Sequence, residues 1–514
     1  MRDIHSLNEA KDSPDWPEWE RTIRSELNQL QEKGTWKLTD PLDDAIPLTN
    51  KWVFVKKKDK DGNIIKYKAR LVAKGYTQRL GHDYLETHSP IVRLEMIRTI
   101  LAITVQEKLL IQQMDVKGAY LNGHLKETIY MKQPEGFSDG TDHVCQLIKT
   151  LYGLKQSGRE WNIEFNNKMQ AKGYRRLRSD PCAYTKTYDN DTAIITVWVD
   201  DLLLFAKSNH TMNQIKTDLR SEWEITDMGE PSKIIGIEIT RSPDKICISQ
   251  KHNVESILIR QGLEEANPVT TPLDPKIKLE PNPEGNEGDR SNAYAQLLGE
   301  LQFISNATRP DITYAVNKLA SYTANPHMQH QTALKRILRY LSGTRDYGIT
   351  YKYTTDSIPT FHGFTDATFA DREDRKSTSG YVIIVANGAI TWKSRKEGVT
   401  AQSTTEAEFV ALWEGGQEAQ WLRNLHQELN YTQIKPTLIY CDNTSAVAIA
   451  RNPLYHKRTK HIEPKYYWVR EKVQAERIDT EYCRTDNQTA DVLTKPLARE
   501  KHMTHVTSMG LAPV

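Results

Sequence analysis

The chain has 514 residues, of which 38% are hydrophobic and 26% charged, and its net charge is +2. This length suits about three or four domains of ~150 residues each. Its apolar runs are shorter than the ~18 residues that span a bilayer, which excludes a membrane-spanning class. The opening residues, MRDIHSLNEAKDSPDW, lack the apolar core of a signal peptide. The five cysteines show no CxxC spacing, which indicates a reducing compartment and argues against a zinc site.

The first elements predicted along the chain are a short helix and a basic region. The segment WPEWERTIRSELNQLQEKG predicts a helix within a lead-in of residues 1–48. Strands and helices then alternate over residues 49–262. Residues 51–76 are rich in Lys and Arg interleaved with aromatic residues, which suits a phosphate backbone or a triphosphate. A solvated hairpin face is the alternative interpretation of this composition.

Two adjacent carboxylates, Asp200 and Asp201, lie inside the apolar segment TVWVDDLLLF. The flanking residues predict a hairpin, whose turn would favour Asn-Gly or Asp-Gly if folding alone decided it. A solvated loop tip is one explanation, and a divalent cation, which prefers carboxylate oxygens, is the other. Asp115, at the end of the strand LLIQQMD, offers a third carboxylate. Three carboxylates can bridge two ions ~3.5–4 Å apart for an in-line phosphoryl displacement.

The second half of the chain divides into a linker region and a final block. Residues 265–290 are rich in Pro, Gly and charge, which predicts a long loop within a linker and helical region of residues 263–355. Residues 356–500 predict three strands, a helix, a strand, two helices, a strand and a helix. This order favours a mixed sheet with helices packed on it. Residues 501–514 are predicted to form a C-terminal tail.

Several motifs resemble the reverse transcriptase of the Ty1/copia class of LTR retrotransposons. QMDVKGAYLNG, LYGLKQSGREW and VWVDDLLLF resemble its palm motifs, and GTWKL, KWVFVKKKDKDG and YKARLVAKGYTQ resemble its fingers. TRPDITYAVNKLA and KRILRYLSGT are typical of the stretch between polymerase and nuclease. The resemblance covers nearly the whole chain. Trp198 and Gly158 depart from the Tyr and Pro that this family usually has.

The resemblance implies an α/β (α+β) fold, with the fingers, palm and thumb of a polymerase right hand followed by an RNase H-like mixed-sheet domain. It implies that Asp115, Asp200 and Asp201 bind the catalytic metals. It also implies a set of substrate-binding residues: Lys68 and Arg70 over the triphosphate, Tyr120 under the incoming sugar, and Gln156 and Arg159 near the nucleotide and template.

In the final block, the resemblance implies four nuclease acids: Asp366, Glu406, Asp442 and Asp491. Taken singly, each has an ordinary structural role, such as helix capping or a favourable place at a helix N-terminus. Glu408 competes with Glu406, which is preferred because the first turn of the helix best faces the strand ends. His461 is expected to assist product release or proton transfer, with an exposed helical histidine as the alternative.

The function expected from the sequence is RNA- and DNA-templated DNA synthesis combined with RNase H cleavage of RNA/DNA hybrids. The expected cofactor is Mg²⁺ or Mn²⁺, two ions per active site. Expected partners are an RNA template, a DNA primer, the hybrid, dNTPs, and other parts of a retroelement polyprotein such as capsid and integrase, but no membrane. The expected location is the cytoplasm, in a virus-like particle, or the nucleus. The alternative is an inactive or domesticated remnant that only binds nucleic acid.

Overall fold

The computed structural model describes residues 4–41, 46–58, 63–189, 191–283, 292–355, 360–452 and 463–514. Within these ranges, the strands form five sheets, and three of these sheets combine strands that are separated in the sequence by strands of another sheet. Among the helices described there, none combines the length and the apolar character that crossing a bilayer requires.

The N-terminal part consists of two helices and a long antiparallel hairpin. Its elements are α1 (Leu7–Lys11), α2 (Trp16–Glu32), β1 (Trp36–Thr39), β2 (Asn50–Lys58) and β3 (Ile64–Ala73). Helix α2 forms where the sequence predicts it, with Pro17 in the first turn, where no backbone donor is needed. Trp19 of α2 packs edge-to-face against Phe54 and Tyr67, so the helix braces the hairpin of β2 and β3.

A six-stranded sheet forms the next part of the chain. The elements here are α3 (Leu94–Glu107), β4 (Leu110–Val116), β5 (His124–Met131), β6 (Val144–Lys149), α4 (Ser157–Ala171), β7 (Arg175–Arg176), β8 (Ala183–Tyr188), β9 (Asp191–Trp198), β10 (Asp201–Ala206), α5 (Asn209–Arg220) and β11 (Ile225–Gly229). The strand order is β11-β4-β10-β9-β8-β7, while β1, β6 and β5 form a separate small sheet. The segments β9 and β10 are apolar because the sheet buries most of their residues.

The connecting region combines helices with a sheet that draws strands from distant parts of the chain. Its elements are β12 (Lys233–Ile234), β13 (Ile237–Ser242), β14 (Lys245–Ser249), α6 (Lys251–Arg260), α7 (Asn292–Ala307), α8 (Thr313–Ala320), α9 (Met328–Gly343) and β15 (Tyr347–Lys352). Strand β14 pairs with β15 across the long intervening helical segment. The residues of β12 to β14 fall inside the predicted polymerase segment 49–262, yet they share a sheet with the connecting region.

The last part is a five-stranded mixed sheet with helices on it, as the sequence predicts. Its elements are β16 (His362–Thr368), β17 (Thr378–Val385), β18 (Gly388–Lys396), α10 (Thr404–Glu428), β19 (Thr437–Cys441), α11 (Thr444–Arg451), α12 (Glu463–Gln474), β20 (Ile478–Tyr482), α13 (Arg499–Ser508) and β21 (Leu511–Pro513). The order is β18-β17-β16-β19-β20. Strands β16 to β18 are antiparallel, and β19 runs parallel to both β16 and β20. Two 3-10 turns, Thr485–Asn487 and Thr489–Leu493, follow β20.

The end of the chain is part of the fold. Residues 501–514, predicted to be a tail, form most of α13 and all of β21. Strand β21 pairs antiparallel with β15 and completes the sheet β12-β13-β14-β15-β21. The chain thus returns to the connecting region after it has built the last domain.

One hydrophobic core joins α3 and the six-stranded sheet to the last domain. It contains residues of α3 together with residues of β17, β18 and α10. At this junction the buried Arg98 donates to the carbonyl oxygens of Ile390 at 2.6 Å and Asn306 at 2.7 Å. Its guanidinium also lies 4.0 Å from the centre of the Trp392 ring. These contacts satisfy a buried charge and connect three parts of the chain.

Candidate active sites

The first site lies at the hairpin between β9 and β10. Asp201 is the register partner of Asp115 on the neighbouring strand β4, and Asp200 lies in the turn that precedes it. The three carboxylates predicted from the sequence therefore share one end of the sheet. All three are partly exposed, so they can be reached from solvent.

The turn of this hairpin is held from both sides. Val199 has a φ of 57°, a left-handed conformation that a β-branched residue rarely adopts. Its carbonyl accepts a hydrogen bond from Trp161 Nε1 at 2.7 Å. The carbonyl of Asp200 accepts another from the backbone of Val116 at 2.8 Å. Backbone strain of this kind persists where surrounding contacts hold it, as these two hydrogen bonds do. Asp200 therefore lies in the turn, outside the paired residues of β9 and β10.

The electrostatics of the hairpin favour a bound cation. Burial raises the pKa of Asp115, and the charges of Asp200 and Asp201 raise it further, against the effect of Lys68. Burial also raises the pKa of Asp201, while a 3.1 Å hydrogen bond from Gln113 lowers it. Like charges that share a site disfavour ionisation, and a divalent ion would relieve that repulsion. Carboxylate oxygens are the ligands that Mg²⁺ and Mn²⁺ prefer, but the ligand atoms of these three described acids do not all lie within 4.8 Å of one another.

The predicted triphosphate residues lie on β3, next to this hairpin. Burial lowers the pKa of Lys68, as do Arg70 and Lys57, and the charges of Asp200 and Asp115 oppose this shift. Lys68 thus shares the electrostatic field of the palm carboxylates. The guanidinium carbon of Arg70 lies over the ring of Tyr152, 4.5 Å from the ring centroid.

Tyr152 also contacts Tyr120, with ring centroids 5.7 Å apart in an edge-to-face arrangement. It therefore supports both the predicted sugar contact and the predicted phosphate contact. Sequence reasoning missed Tyr152 as a supporting residue, although it lies within the quoted motif LYGLKQSGREW.

Gln156 and Arg159 are engaged with the protein itself. Gln156 is fully buried, accepts from Gln78 at 3.0 Å, and donates to the carbonyl of Asp83 at 2.9 Å. It therefore ties the start of α4 to the loop between β3 and α3, and its contact with nucleotide or template stays a prediction. Arg159 forms an ion pair with Glu86 at the surface.

The two departures from the family pattern lie beside this site. Trp198 is the register partner of Asp201, and its side chain packs against the hydrophobic core that α3 shares with the last domain. A Cβ atom on Gly158 would lie 3.2 Å from the Cβ and Oγ of Ser89, a tight approach that glycine avoids.

The second site gathers acids in the last domain. One oxygen each of Asp366, Asp442 and Asp491 lies within 4.8 Å of the others. Asp366 is in β16, Asp442 directly follows the parallel neighbour β19, and Asp491 lies in the 3-10 turn Thr489–Leu493. Asp366 and Asp491 are buried, while Asp442 is partly exposed and accepts from Thr485 at 2.8 Å.

The structure places Glu408 beside this cluster, while the metal-binding role preferred for Glu406 in the sequence stays a prediction. Glu408 lies with Cys441 and Asp442 in a second group whose ligand atoms are within 4.8 Å of one another. The carboxylate of Glu406 instead accepts from the backbone of Gln402 at 2.8 Å, while Ser403 caps its backbone nitrogen. Residues two apart on a helix point about 200° from each other, so only one of the two glutamates can face the acids.

Two lysines and a threonine complete the acid cluster, and sequence reasoning did not single them out. Thr494 donates to Asp366, and Lys495 Nζ lies 2.9 Å from Asp491 and 3.6 Å from Asp366. Lys501 Nζ lies 3.3 Å from the other oxygen of Asp491. The usable signal is the spacing of Asp491 and Lys495 in DVLTK, which places an acid and a base one turn apart.

Burial is the main cause that raises the pKa of the two shifted acids, Asp366 and Glu408, in this cluster. It raises the pKa of Asp366 to about 6, with Lys495 acting against it and Asp491 with it. It raises the pKa of Glu408 to about 10, together with the charges of Asp366 and Asp442. Burial lowers the pKa of Lys495, but the carboxylates of Asp366 and Asp491 outweigh it and leave a net increase. Acids so crowded are suited to a divalent cation. His461 lies outside the described residues.

The six-stranded sheet carries carboxylates at one hairpin. A mixed sheet with a second acid cluster follows it along the chain. This is the architecture of a polymerase joined to an RNase H-like domain. The family model described as "Reverse transcriptase (RNA-dependent DNA polymerase)" matches residues 33–275. A retrovirus-related Pol polyprotein from transposon TNT 1-94 of Nicotiana tabacum is 39% identical, over 97% of this chain and 38% of that protein. The corresponding polyprotein from transposon RE1 of Arabidopsis thaliana is 36% identical, over 96% of this chain and 34% of that protein.

A shorter relative is matched almost completely. The putative transposon Ty5-1 protein of Saccharomyces cerevisiae is 32% identical, over 59% of this chain and 98% of that protein. The chain therefore belongs to the Pol proteins of Ty1/copia-type transposons, and it contains their reverse transcriptase domain. It spans somewhat over a third of the two plant relatives (38% and 34%). A solved foamy viral protease-reverse transcriptase, in complex with double-stranded DNA, aligns with a TM-score of 0.48 and 13% identity, over 94% of this chain and 71% of that one.

Proposed function

We propose that this chain copies RNA and DNA templates into DNA and degrades the RNA strand of the resulting hybrid. The observation that supports the polymerase half best is the register of Asp201 opposite Asp115, with Asp200 in the intervening turn. In a chain of this family, that arrangement puts three carboxylates at one end of a rigid sheet. Sites on strands hold their geometry more closely than sites on loops.

At the palm, Asp115, Asp200 and Asp201 would hold Mg²⁺ or Mn²⁺. The bound ions would stabilise the attacking and leaving oxygens of the nucleotidyl transfer. Lys68 and Arg70 would bind the triphosphate, which carries the negative charge that these side chains attract. Tyr120, supported by Tyr152, would contact the sugar of the incoming dNTP.

At the second cluster, Asp366, Glu408, Asp442 and Asp491 would hold the metal for hybrid cleavage. Their placement on β16, α10, the end of β19 and a late 3-10 turn supports this assignment. Recognition of the hybrid would rest mainly on phosphate contacts and shape. His461 is kept as a candidate for proton transfer or product release.

The partners that follow from this proposal are an RNA template, a DNA primer, dNTPs and the hybrid product. Other parts of a retroelement polyprotein, such as capsid and integrase, are proposed partners because the plant relatives are much longer than this chain. The proposed place of action is a virus-like particle in the cytoplasm, or the nucleus.

Primer extension on poly(rA)/oligo(dT), with magnesium or manganese, tests the polymerase half directly. A labelled RNA/DNA hybrid tests the nuclease half in the same preparation. Asp201→Asn should abolish extension and leave cleavage, whereas Asp442→Asn should do the reverse. A folded wild-type chain that binds hybrid but performs neither reaction would instead support the non-catalytic remnant.

A further inference from the structure

The acid cluster of the last domain offers two adjacent positions for a cation. One is bounded by Asp366, Asp442 and Asp491, and the other by Glu408, Cys441 and Asp442. Each set brings its ligand atoms within 4.8 Å of one another, and Asp442 belongs to both. Two such positions that share a carboxylate are the arrangement expected of a two-metal site.

The two positions differ in the positive charge that the protein already supplies. At the first, Lys495 Nζ lies 2.9 Å from Asp491 Oδ1 and 3.6 Å from Asp366 Oδ2. Lys501 Nζ lies 3.3 Å from Asp491 Oδ2, so both oxygens of Asp491 face an ammonium group. At the second, no basic side chain in the described ranges lies within 4.0 Å of the carboxylates of Glu408 or Asp442.

The backbone holds Lys495 in this position. Its amide donates to the carbonyl of Asp491 at 3.2 Å, and its neighbour Thr494 hydrogen-bonds Asp366. Pro496 follows and restricts the backbone, and Leu497 is buried after it. The backbone at Lys495 is therefore held in place, and the side chain puts its ammonium between two buried acids.

We propose that Lys495 takes the place of one of the two metal ions, so that the nuclease site binds a single divalent cation on the Glu408–Asp442 side. This rests on the proposed nuclease function and changes the expected number of ions there from two to one. Mg²⁺ is commonly bound through one or two carboxylates and retained water, which the Glu408–Asp442 side can provide. Lys495 then stabilises Asp366 and Asp491 as anions without a second ion.

Counting bound Mn²⁺ tests this in the full-length chain without nucleic acid. Free Mn²⁺ is measured by electron paramagnetic resonance in a background of Asp115→Asn and Asp201→Asn, so that palm binding does not contribute. The background protein should bind one ion, and Lys495→Met should bind two. Lys501→Met is the matched control, because Lys501 reaches Asp491 from the outer side and also pairs with Asp486 at 3.7 Å. It should still bind one ion, as should Lys495→Arg, which keeps the charge.

Three outcomes would overturn the inference or its basis. Two ions in the background protein, or one ion in Lys495→Met, would show that the lysine does not replace a metal. If Lys495→Met failed to fold, Lys495→Gln would carry the same expectation of two ions. Asp442→Asn removes the shared ligand and should abolish binding. If it changed nothing, the acid cluster would not be a metal site, and the nuclease half of the proposed function would fail instead.

Discussion

His502 of the last helix lies 3.1 Å from the hydroxyl of Tyr340 in α9. That hydroxyl donates to Asp311 at 2.7 Å, and Asp311 forms a buried ion pair with Arg309 at 2.7 Å. All four side chains are at most 2% exposed. The motif TRPDI thus builds a buried polar network that fastens α13 to the connecting helices. Such a network is stable only when each member is satisfied.

This contact predicts a pH-dependent loss of stability. Burial lowers the pKa of His502 from 6.5 to about 4, so the folded protein disfavours a proton that the unfolded chain accepts. The contribution of neutral His502 to the free energy of unfolding is complete above the pKa of histidine in the unfolded chain. It is lost as the pH falls from there toward about 4. One such group accounts for about 1 kcal/mol between about pH 7.5 and about pH 5.5. The melting temperature of His502→Gln should therefore change less between these two pH values than the melting temperature of wild type. The exposed His210→Gln is the control and should behave as wild type.

The second prediction concerns the choice between deoxyribose and ribose. Tyr120 is partly buried and packs against Tyr152, so its ring has limited room to move. If this ring excludes the 2′-hydroxyl, Tyr120→Val should raise the kcat/KM for ribonucleotides relative to deoxyribonucleotides by about 10-fold or more. Tyr120→Phe keeps the ring and should leave the ratio near that of wild type. An unchanged ratio in Tyr120→Val would assign sugar selection to another residue.

The third prediction separates the two glutamates of TEAEF. Glu408 faces the acid cluster, and Glu406 completes the helix cap. Glu408→Gln should lower hybrid cleavage by at least ~100-fold, the upper end of the loss seen when support of a metal ligand is removed. Glu406→Gln should cost far less cleavage and mainly lower thermal stability, since a cap contributes about 1 kcal/mol. A reversed pattern in a steady-state cleavage assay would restore Glu406 as the nuclease glutamate.

The same pair shows what the sequence could and could not predict. The spacing of Ser403 and Glu406 in the sequence fits a capping box, and it could have assigned Glu406 to the start of the helix, where its amide donates to Ser403. The shared placement of Asp115, Asp200 and Asp201 was predictable because strand ends and turns expose local carboxylates, whereas their metal-binding role was inferred from the family resemblance and stays a prediction. Strand β21 was not, since its partner β15 lies far away in the sequence and short strands carry little periodicity. Lys495 was missed because its role depends on Asp366, which reaches it only through the tertiary fold.

The last prediction concerns the acid cluster without metal. In that state the pKa of Glu408 is raised from 4.5 to about 10, first by burial and then by its acidic neighbours. The folded protein then holds a proton that the unfolded chain releases, so stability should fall as the pH rises between these values. The slope for one such group is at most ~1.4 kcal/mol per pH unit. In EDTA, the melting temperature of wild type should decline from about pH 6 to about pH 9, and Glu408→Gln should decline less. Glu406→Gln, whose substitution lies outside the cluster, should keep the wild-type slope. Saturating magnesium should flatten the wild-type decline, because the ion stabilises the ionised carboxylates. Equal slopes for wild type and Glu408→Gln in EDTA would mean that Glu408 is not held protonated among these acids.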